Sequence, residues 1–134
     1  MIVEFFVPGE PHGKGRPRMT RTGHAYTDSR TRAYEKAVGA LAFEAMSGRK
    51  PIEVGCTVEL EAFFLPAKSL SAKRRLALLG TPVLKKPDAD NVAKAVIDGM
   101  NGIVFRDDSL VWSVKTTKIY GEVEGVTVRV QEGE

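Results

Sequence analysis

The sequence has few of the residues that build disulfide frameworks or membrane spans. Its only cysteine, Cys56, has no partner within the chain, which excludes an intrachain disulfide and favours a reducing cytoplasm. The amino terminus has a short apolar run with an early Glu4, without the cationic and longer apolar regions of a signal peptide. No stretch is long and apolar enough to cross a bilayer. We therefore expect a cytoplasmic protein with no membrane partner, in which Cys56 is a core residue.

The composition is that of an ordinary globular protein. Of the 134 residues, 43% are hydrophobic and 28% are charged. A chain of this length has room for one hydrophobic core, and it contains no internal repeat or low-complexity tract. We therefore predict a single domain over residues 1–134.

Acidic residues are almost absent from two segments of the chain. Residues 12–32 contain six basic residues and one acidic residue, Asp28, and residues 66–86 contain six basic residues and no acidic one. The net charge of +3 therefore conceals two basic segments in a chain that is otherwise net acidic. This distribution is typical of a face that binds a polyanion, although two solvated surface loops would give the same pattern.

Hydrophobic periodicity predicts a mixture of strands and helices. Short apolar or alternating stretches predict strands over residues 2–7, 54–64, 103–105, 110–120 and 125–130. Apolar residues at helical spacing, with capping and terminating residues, predict helices over residues 31–48, 69–79 and 88–101. Because residues 9–32 are rich in glycine and proline, we predict that they form a long basic loop.

One acidic motif indicates a particular chemistry. Residues 86–91 read KPDADN, Lys94 follows one helical turn later, and Asp107 and Asp108 lie downstream. Four carboxylates on short elements cannot lie together in ionised form unless a cation or a proton offsets their repulsion. A divalent metal ion is the expected occupant, and a lysine beside it would be placed to meet a phosphate. The motif therefore predicts metal-assisted phosphodiester chemistry.

Other uses of closely spaced aspartates fit less well. An EF-hand loop starting at Asp88 would place Ala93 and Gly99 where a glycine and a bidentate glutamate are needed. A PD-(D/E)xK nuclease would need an acidic residue two positions before a lysine of the next strand, and neither lysine there has one. A sugar-nucleotide transferase would need a nucleotide-binding βαβ platform, which this chain does not indicate.

The block KKPDADNVAKAVIDGMNGIVFRDDSLV resembles the signature of the RusA family of Holliday junction resolvases. The family pattern is roughly K-P-D-x-D-N-x-x-K-x-x-x-D-x-L-N-G followed by D-D-x-x-V, with Met100 here in place of the usual leucine. The earlier segment VPGEPHGKGRPR is also similar to the family, so the matches extend from Val7 to Val111. The resemblance implies a homodimeric, magnesium-dependent endonuclease that nicks four-way DNA junctions in recombination and repair. It also implies an α+β fold with a mixed β-sheet flanked by helices, which agrees with the predicted elements.

The resemblance also implies roles for individual residues. The catalytic residues would be Asp88, Asp90, Lys94 and Asp108. The same three aspartates, with Asp107 as the alternative to Asp108, would hold Mg²⁺, for which Mn²⁺ can substitute. Lys94 would stabilise the charge of the transition state or help to deprotonate the attacking water. Asp98 also matches the pattern, and we interpret it as a supporting or ion-pair residue.

Each of these residues taken alone also has a purely structural explanation. Asp88 or Asp90 can cap a helix, and residues 107–108 can form a turn. Lys94 can pair with Asp98 on a solvated helix face, for only a few tenths of a kcal/mol. Their joint occurrence in the family pattern favours the catalytic interpretation.

DNA contacts are expected from the two basic segments, through phosphates that fix position without reading sequence. The predicted DNA-binding residues are Lys14, Arg16, Arg18, Arg21, Lys73, Arg74, Arg75, Lys85 and Lys86. We expect Trp112 and Tyr120 to lie in the core or in a dimer interface. Two other functions remain open: a junction-binding protein that has lost hydrolysis, and a magnesium-dependent nuclease that acts on flaps, forks or RNA.

Overall fold

A computed structural model of the chain describes residues 1–15 and 18–133, with the backbone alone for Arg18. In chain order its elements are β1 (Ile2–Pro8), β2 (Arg18–Met19), β3 (Ala25–Tyr26), α1 (Ser29–Met46), β4 (Cys56–Phe64), α2 (Ala72–Leu78), α3 (Ala89–Met100), β5 (Val111–Tyr120) and β6 (Gly125–Glu132). A single 3-10 turn, Asp108–Leu110, leads into β5.

Four of the strands form one mixed sheet in the order β1-β6-β4-β5. The pairs β1–β6 and β6–β4 are antiparallel, whereas β4 and β5 are parallel. Parallel neighbours need a long crossover connection, and here α2 and α3 lie within it. Helix α3 packs against β5, and α1 packs against α3 and β1. The predicted α+β fold, with a mixed sheet flanked by helices, is confirmed.

The core lies between the sheet and the two long helices. In β4 the alternate residues from Cys56 to Phe64 are buried, while Glu59 and Glu61 on the other face are exposed. Helix α3 adds Val92, Val96 and Met100, all fully buried. Each such aliphatic side chain stabilises the fold by about 1.5–3 kcal/mol relative to exposure. Cys56 is therefore a core residue, as the sequence predicts.

The open face of the sheet carries alternating charges. Glu4 lies opposite Arg129, Arg129 opposite Glu59, and Glu59 opposite Lys115, so one row crosses all four strands. The Nε atom of Arg129 lies 3.9 Å from Oε1 of Glu4. Because neighbouring charges of opposite sign balance one another, this charge row does not form a polyanion-binding face.

Two predicted segments differ from the structure. Residues 103–105 are not a strand: the chain reverses at Gly102, whose φ is +80°, and returns through a turn in which Gly102 N donates to Phe105 O. The apolar side chains of this segment led to the prediction of a strand. Val104 and Phe105 are apolar because they are buried in the core, not because they belong to a strand. Residues 9–32 are not one long loop, because they contain the β2–β3 hairpin and the first turn of α1, capped by Asp28.

Strand β5 forms one edge of the sheet, and only its second half is covered. There Tyr120 N donates to Thr81 O, and Val83 N donates to Lys118 O. In the first half, Trp112 and Val114 are 58% and 45% exposed. Trp112 is therefore not a core residue, which leaves a dimer interface as the other predicted location, whereas Tyr120 packs against the core.

Gly99 allows the close approach of α1 and α3. A Cβ atom at this position would lie 2.7 Å from Cβ of Val38 and 2.9 Å from the carbonyl oxygen of Glu35. We expect Gly99→Ala to lower the free energy of unfolding by about 1–3 kcal/mol, because the helices must separate. Urea denaturation measures the change, with Gly15→Ala as the control, since no atom lies within 4 Å of a Cβ there. Equal stabilities of the two variants would contradict this account of the packing.

Candidate active site

Asp88 and Asp90 lie at the amino-terminal end of α3. Asp88 is the N-cap residue, but its side chain makes no capping hydrogen bond. Asp90 lies in the first turn, and both residues are exposed. Neither carboxylate has a hydrogen bond or ion pair within the described part of the chain. Both carry negative charge at the positive end of the helix dipole, a favourable place for it, with their oxygens available to a ligand.

Lys118 fixes the segment that leads into this helix end. Its side chain lies on the inner face of the sheet, opposite the buried Ala62. The Nζ atom donates to the carbonyl oxygens of Lys85 at 2.6 Å and Pro87 at 2.7 Å. The residue before Asp88 is therefore held against β5. Sequence analysis did not identify Lys118, although a lysine at an inward position of an apolar strand was an available signal.

Lys94 lies one turn beyond Asp90 on α3. Both line a groove of about 450 Å³ between α3 and β5, whose remaining wall includes Ile97, Val114 and Thr116. The Lys94 side chain is 60% exposed, and its Nζ atom lies 3.5 Å from Oδ1 of Asp98. The groove therefore combines a carboxylate and an ammonium group at one end with apolar side chains along its wall.

Asp107 and Asp108 lie at the 3-10 turn before β5. Oδ2 of Asp107 accepts a hydrogen bond from the backbone N–H of Ser109 at 3.1 Å. Hydrogen bonds from Ser109 lower the pKa of Asp107 below its ordinary value. Asp108 is half-buried, and its carboxylate has no hydrogen bond or ion pair among the described residues. Asp107 thus stabilises the turn, and Asp108 is the less engaged of the two.

These two aspartates are distant from Asp88 and Asp90 within one protomer. The segment before Asp88 contacts Lys118, which lies seven residues after the start of β5. Seven strand residues at about 3.3 Å each place Lys118 on the order of 20 Å from the start of β5. The 12 residues of α3 span a similar length, about 18 Å. Among residues 1–15 and 18–133, no three acidic, histidine or cysteine side chains form a group that could hold a metal ion.

Lys14, predicted to contact phosphate, pairs with two carboxylates of the protein. Its Nζ atom donates to Oδ2 of Asp98 at 2.5 Å and to Oε1 of Glu35 at 3.1 Å. The three side chains are only 16–21% exposed. Burial lowers the pKa of Lys14, but the hydrogen bonds and charges of the two carboxylates outweigh it, so the pKa is raised overall. The ammonium group is therefore held charged inside the protein.

The second basic segment ends at the amino-terminal end of α3. Lys85 and Lys86 directly precede Pro87 and are exposed. Helix α2 lies at the end of β5, since Arg75 shares a cavity with Gly121 and Glu122, and all its basic residues, Lys73, Arg74 and Arg75, are exposed.

The first basic segment approaches the same helix end. The backbone N–H of Lys14 donates to Asn91 O at 3.0 Å, and Arg21 in the following hairpin is exposed. Of the other predicted contacts, Arg18 lies in β2, and Arg16 lies outside the described residues. Parts of both basic segments, Lys14 and residues 85–86, thus lie beside the end of α3 that bears Asp88 and Asp90.

An α+β domain with paired carboxylates and a lysine between converging basic segments is typical of enzymes that cut nucleic-acid backbones. The family model described as endodeoxyribonuclease RusA matches residues 8–131. A Bacillus subtilis (strain 168) protein described as "Uncharacterized protein YqaN" is 31% identical over 136 residues, covering 97% of this chain and 96% of that protein. The chain therefore belongs to the RusA family of endodeoxyribonucleases, as its central motif predicts. None of the helices described is long and apolar enough to span a membrane.

The Lys118 contacts can be tested by Lys118→Met. Two carbonyl oxygens would lose a charged donor, so we expect the free energy of unfolding to fall by about 1–3 kcal/mol. Lys115→Met is the matched control, because Lys115 lies on the same strand but on the exposed face, where changes stay within about 0.5 kcal/mol. Urea denaturation compares the two. A Lys118→Met protein as stable as its control would show that these hydrogen bonds do not hold the segment.

Proposed function

We propose that the protein is a metal-dependent endonuclease that resolves four-way DNA junctions by paired, symmetric nicks, in recombination and repair. The observation that carries this proposal is that parts of both basic segments, Lys14 and residues 85–86, lie beside the end of α3 that bears Asp88 and Asp90. The exposed Lys85 and Lys86 thereby place positive charge next to two carboxylates, where a DNA phosphate would have to bind. Family membership supplies the reaction class, cleavage of DNA. A DNA substrate and the single buried thiol both favour a cytoplasmic location.

Six exposed basic residues of the two basic segments are proposed to contact phosphates. They are Arg21, Lys73, Arg74, Arg75, Lys85 and Lys86. DNA is proposed to bind on the side of these residues and not on the open face of the sheet, because the balanced charge row there offers DNA no net attraction. Binding through phosphates gives affinity that falls steeply as salt concentration rises.

Asp88 and Asp90 have the chemistry that Mg²⁺ requires. Mg²⁺ takes oxygen ligands, keeps several waters, and is usually held by one or two carboxylates together with substrate phosphate. Two exposed carboxylates with no hydrogen bond or ion pair among the described residues fit that requirement. The ion, for which Mn²⁺ can substitute, would lower the pKa of a water molecule and neutralise charge on the scissile phosphate. Lys94 would contribute a positive charge one helical turn away, where negative charge develops on the phosphate.

We propose a homodimer for two reasons: two identical sites would cut a junction symmetrically, and a second copy would complete each metal site. A four-way junction has near-twofold symmetry, which a C2 dimer with two identical sites matches. Asp107 and Asp108 do not form a metal-binding group with Asp88 and Asp90 among the described residues of one protomer. A second copy could supply them, and the exposed Trp112 and Val114 near the start of β5 offer it an apolar surface. Of the two aspartates, Asp108 is the proposed ligand, because Asp107 already caps the 3-10 turn.

Substrate choice tests the proposal directly. The protein is incubated with labelled four-way junction, fork, duplex and single strand, with Mg²⁺ or with EDTA. We expect symmetric, ligatable nicks carrying 5′-phosphate and 3′-hydroxyl ends on the junction alone, and no cutting with EDTA. Binding without cutting would indicate a catalytically silent junction-binding protein. Faster cutting of forks, flaps or RNA would indicate a nuclease for other branched substrates, and either result would overturn junction resolution.

Asp90→Asn tests the proposed metal ligand. Loss of one ligand removes several kcal/mol of transition-state stabilisation, so we expect cleavage to fall by about a hundredfold or more. Junction binding should be unchanged or tighter, because one negative charge near the DNA is removed. Single-turnover cleavage and gel-shift titration measure the two effects, with the exposed Glu59→Gln on the open face of the sheet as control. Cleavage by Asp90→Asn at the wild-type rate would refute the assignment.

A further inference from the structure

Residues 11–15, here called the anchor segment, connect β1 to the β2–β3 hairpin and are fixed to both long helices. The Nε2 atom of His12 lies 2.8 Å from Oγ1 of the buried Thr31 in α1. The imidazole ring also packs on the ring of Tyr34, with centroids 5.4 Å apart. On the other side, the backbone N–H of Lys14 donates to Asn91 O in α3 at 3.0 Å. A segment without regular secondary structure is therefore tied to two helices.

The side chain of Lys14 provides the strongest of these ties. It joins Glu35 of α1 and Asp98 of α3, at 3.1 and 2.5 Å, across separations of 21 and 84 residues. Charges removed from water are tolerated only when they are well paired, so this largely buried group has one favourable position. Lys14, Glu35 and Asp98 are together called the anchor network.

Gly13 brings the anchor segment against the site. A Cβ atom at Gly13 would overlap Cβ of Pro87, the residue that precedes Asp88. The anchor segment therefore lies in direct contact with the turn that presents the two proposed metal ligands. Lys118 holds the same turn against β5, so Pro87 is fixed between the sheet and the anchor segment.

The position of Lys14 also limits where the β2–β3 hairpin can lie. Arg18, the first residue of β2, is four residue steps along the chain from Lys14. A fully extended chain covers at most about 3.6 Å per residue, so β2 begins within about 14 Å of Lys14. The hairpin exposes Met19, Arg21 and Tyr26, which are basic, apolar or aromatic groups suited to a DNA strand.

We propose that Lys14, Glu35 and Asp98 are positioning residues, whose network holds the β2–β3 hairpin beside Asp88 and Asp90 so that DNA held by the hairpin reaches the catalytic carboxylates. This inference rests on the proposed nuclease function. Lys14 then acts through the hairpin and does not itself contact a phosphate. Its positive charge is instead paired with the carboxylates of Glu35 and Asp98.

Lys14→Met is the principal test, because it keeps most of the side-chain stem and removes the charge. Glu35→Gln weakens the same network from the other side. Lys14→Met frees Asp98, which also pairs with Lys94, whereas Glu35→Gln leaves the Lys14–Asp98 bond in place and is therefore the variant whose effect does not pass through Lys94. The exposed Lys36→Met on α1 removes the same charge outside the network and is the matched control.

Amide hydrogen exchange of the free protein reports the anchor directly. Because a hydrogen bond to a charged group is among the stronger ones, we expect exchange over residues 11–15 and 19–26 to accelerate about tenfold or more in Lys14→Met. Glu35→Gln should show a smaller acceleration over the same residues, and Lys36→Met none. Unchanged exchange in Lys14→Met would overturn the proposal, whether or not the wild-type protein cuts DNA. Failure of the nuclease function is therefore distinguishable from failure of the anchor.

Junction cleavage reports the positioning. At saturating protein, we expect the single-turnover rate of Lys14→Met to fall about tenfold, as the lost local order predicts, with a change of less than about threefold in affinity. Glu35→Gln should add nothing in the Lys14→Met background, because Glu35 acts through Lys14. The dependence of affinity on salt should be unchanged. A salt slope reduced by about one would identify Lys14 as a phosphate contact and overturn the proposal, as would additive effects of the two substitutions.

Melting temperatures of all variants are measured alongside. If Lys14→Met is unfolded at the assay temperature, hydrogen exchange and single-turnover cleavage of Glu35→Gln provide the test. This variant leaves the Lys14–Asp98 bond in place. Faster exchange of the hairpin with slower cleavage at unchanged affinity would then support the positioning role. Wild-type exchange and wild-type cleavage in a folded Glu35→Gln protein would contradict it.

Discussion

The arrangement of the site depends on how closely α1 approaches α3. Gly99 provides that approach, because its missing side chain leaves room for Val38 and for the backbone at Glu35. Asp98, the neighbour of Gly99, is thereby brought with Glu35 to the same ammonium group of Lys14. The interaction of two carboxylates with one lysine fixes the anchor segment, and the anchor segment contacts the turn that bears Asp88. A packing requirement at one glycine is thus connected to the geometry of the proposed catalytic residues.

The features that follow from neighbours along the chain were predictable from the sequence. The spacing of Asp90 and Lys94 placed both on one face of α3, and the alternation in β4 gave its buried face correctly. The family signature gave the reaction class. The contacts of Lys14 and Lys118 were not predictable, because they join residues 21 to 84 positions apart and depend on the topology of the sheet. In the sequence Lys14 looked like any other basic residue of a loop, yet its side chain joins two helices inside the protein.

The separation between the two pairs of aspartates has a similar origin. Asp88 and Asp90 begin α3, and Asp107 and Asp108 follow it after a short turn, so a helix of 12 residues lies between them. Sequence spacing alone does not show whether the chain after α3 folds back to the start of the helix, which would bring the two pairs of aspartates together, or continues directly into β5. The buried Val104 and Phe105 and the reversal at Gly102 direct the chain to the amino-terminal end of β5. An assembly of two copies is therefore a natural way for both pairs to serve one ion.

The charge row on the open face of the sheet has a consequence for how the molecule meets its substrate. Charges of both signs cancel there, whereas the exposed Lys85 and Lys86 lie beside the end of α3. The charge row therefore offers a polyanion no net attraction, whereas the lysines beside the end of α3 attract it. Because the attraction acts on that side of the protein, a larger fraction of diffusional encounters with a polyelectrolyte begin with the correct side forward.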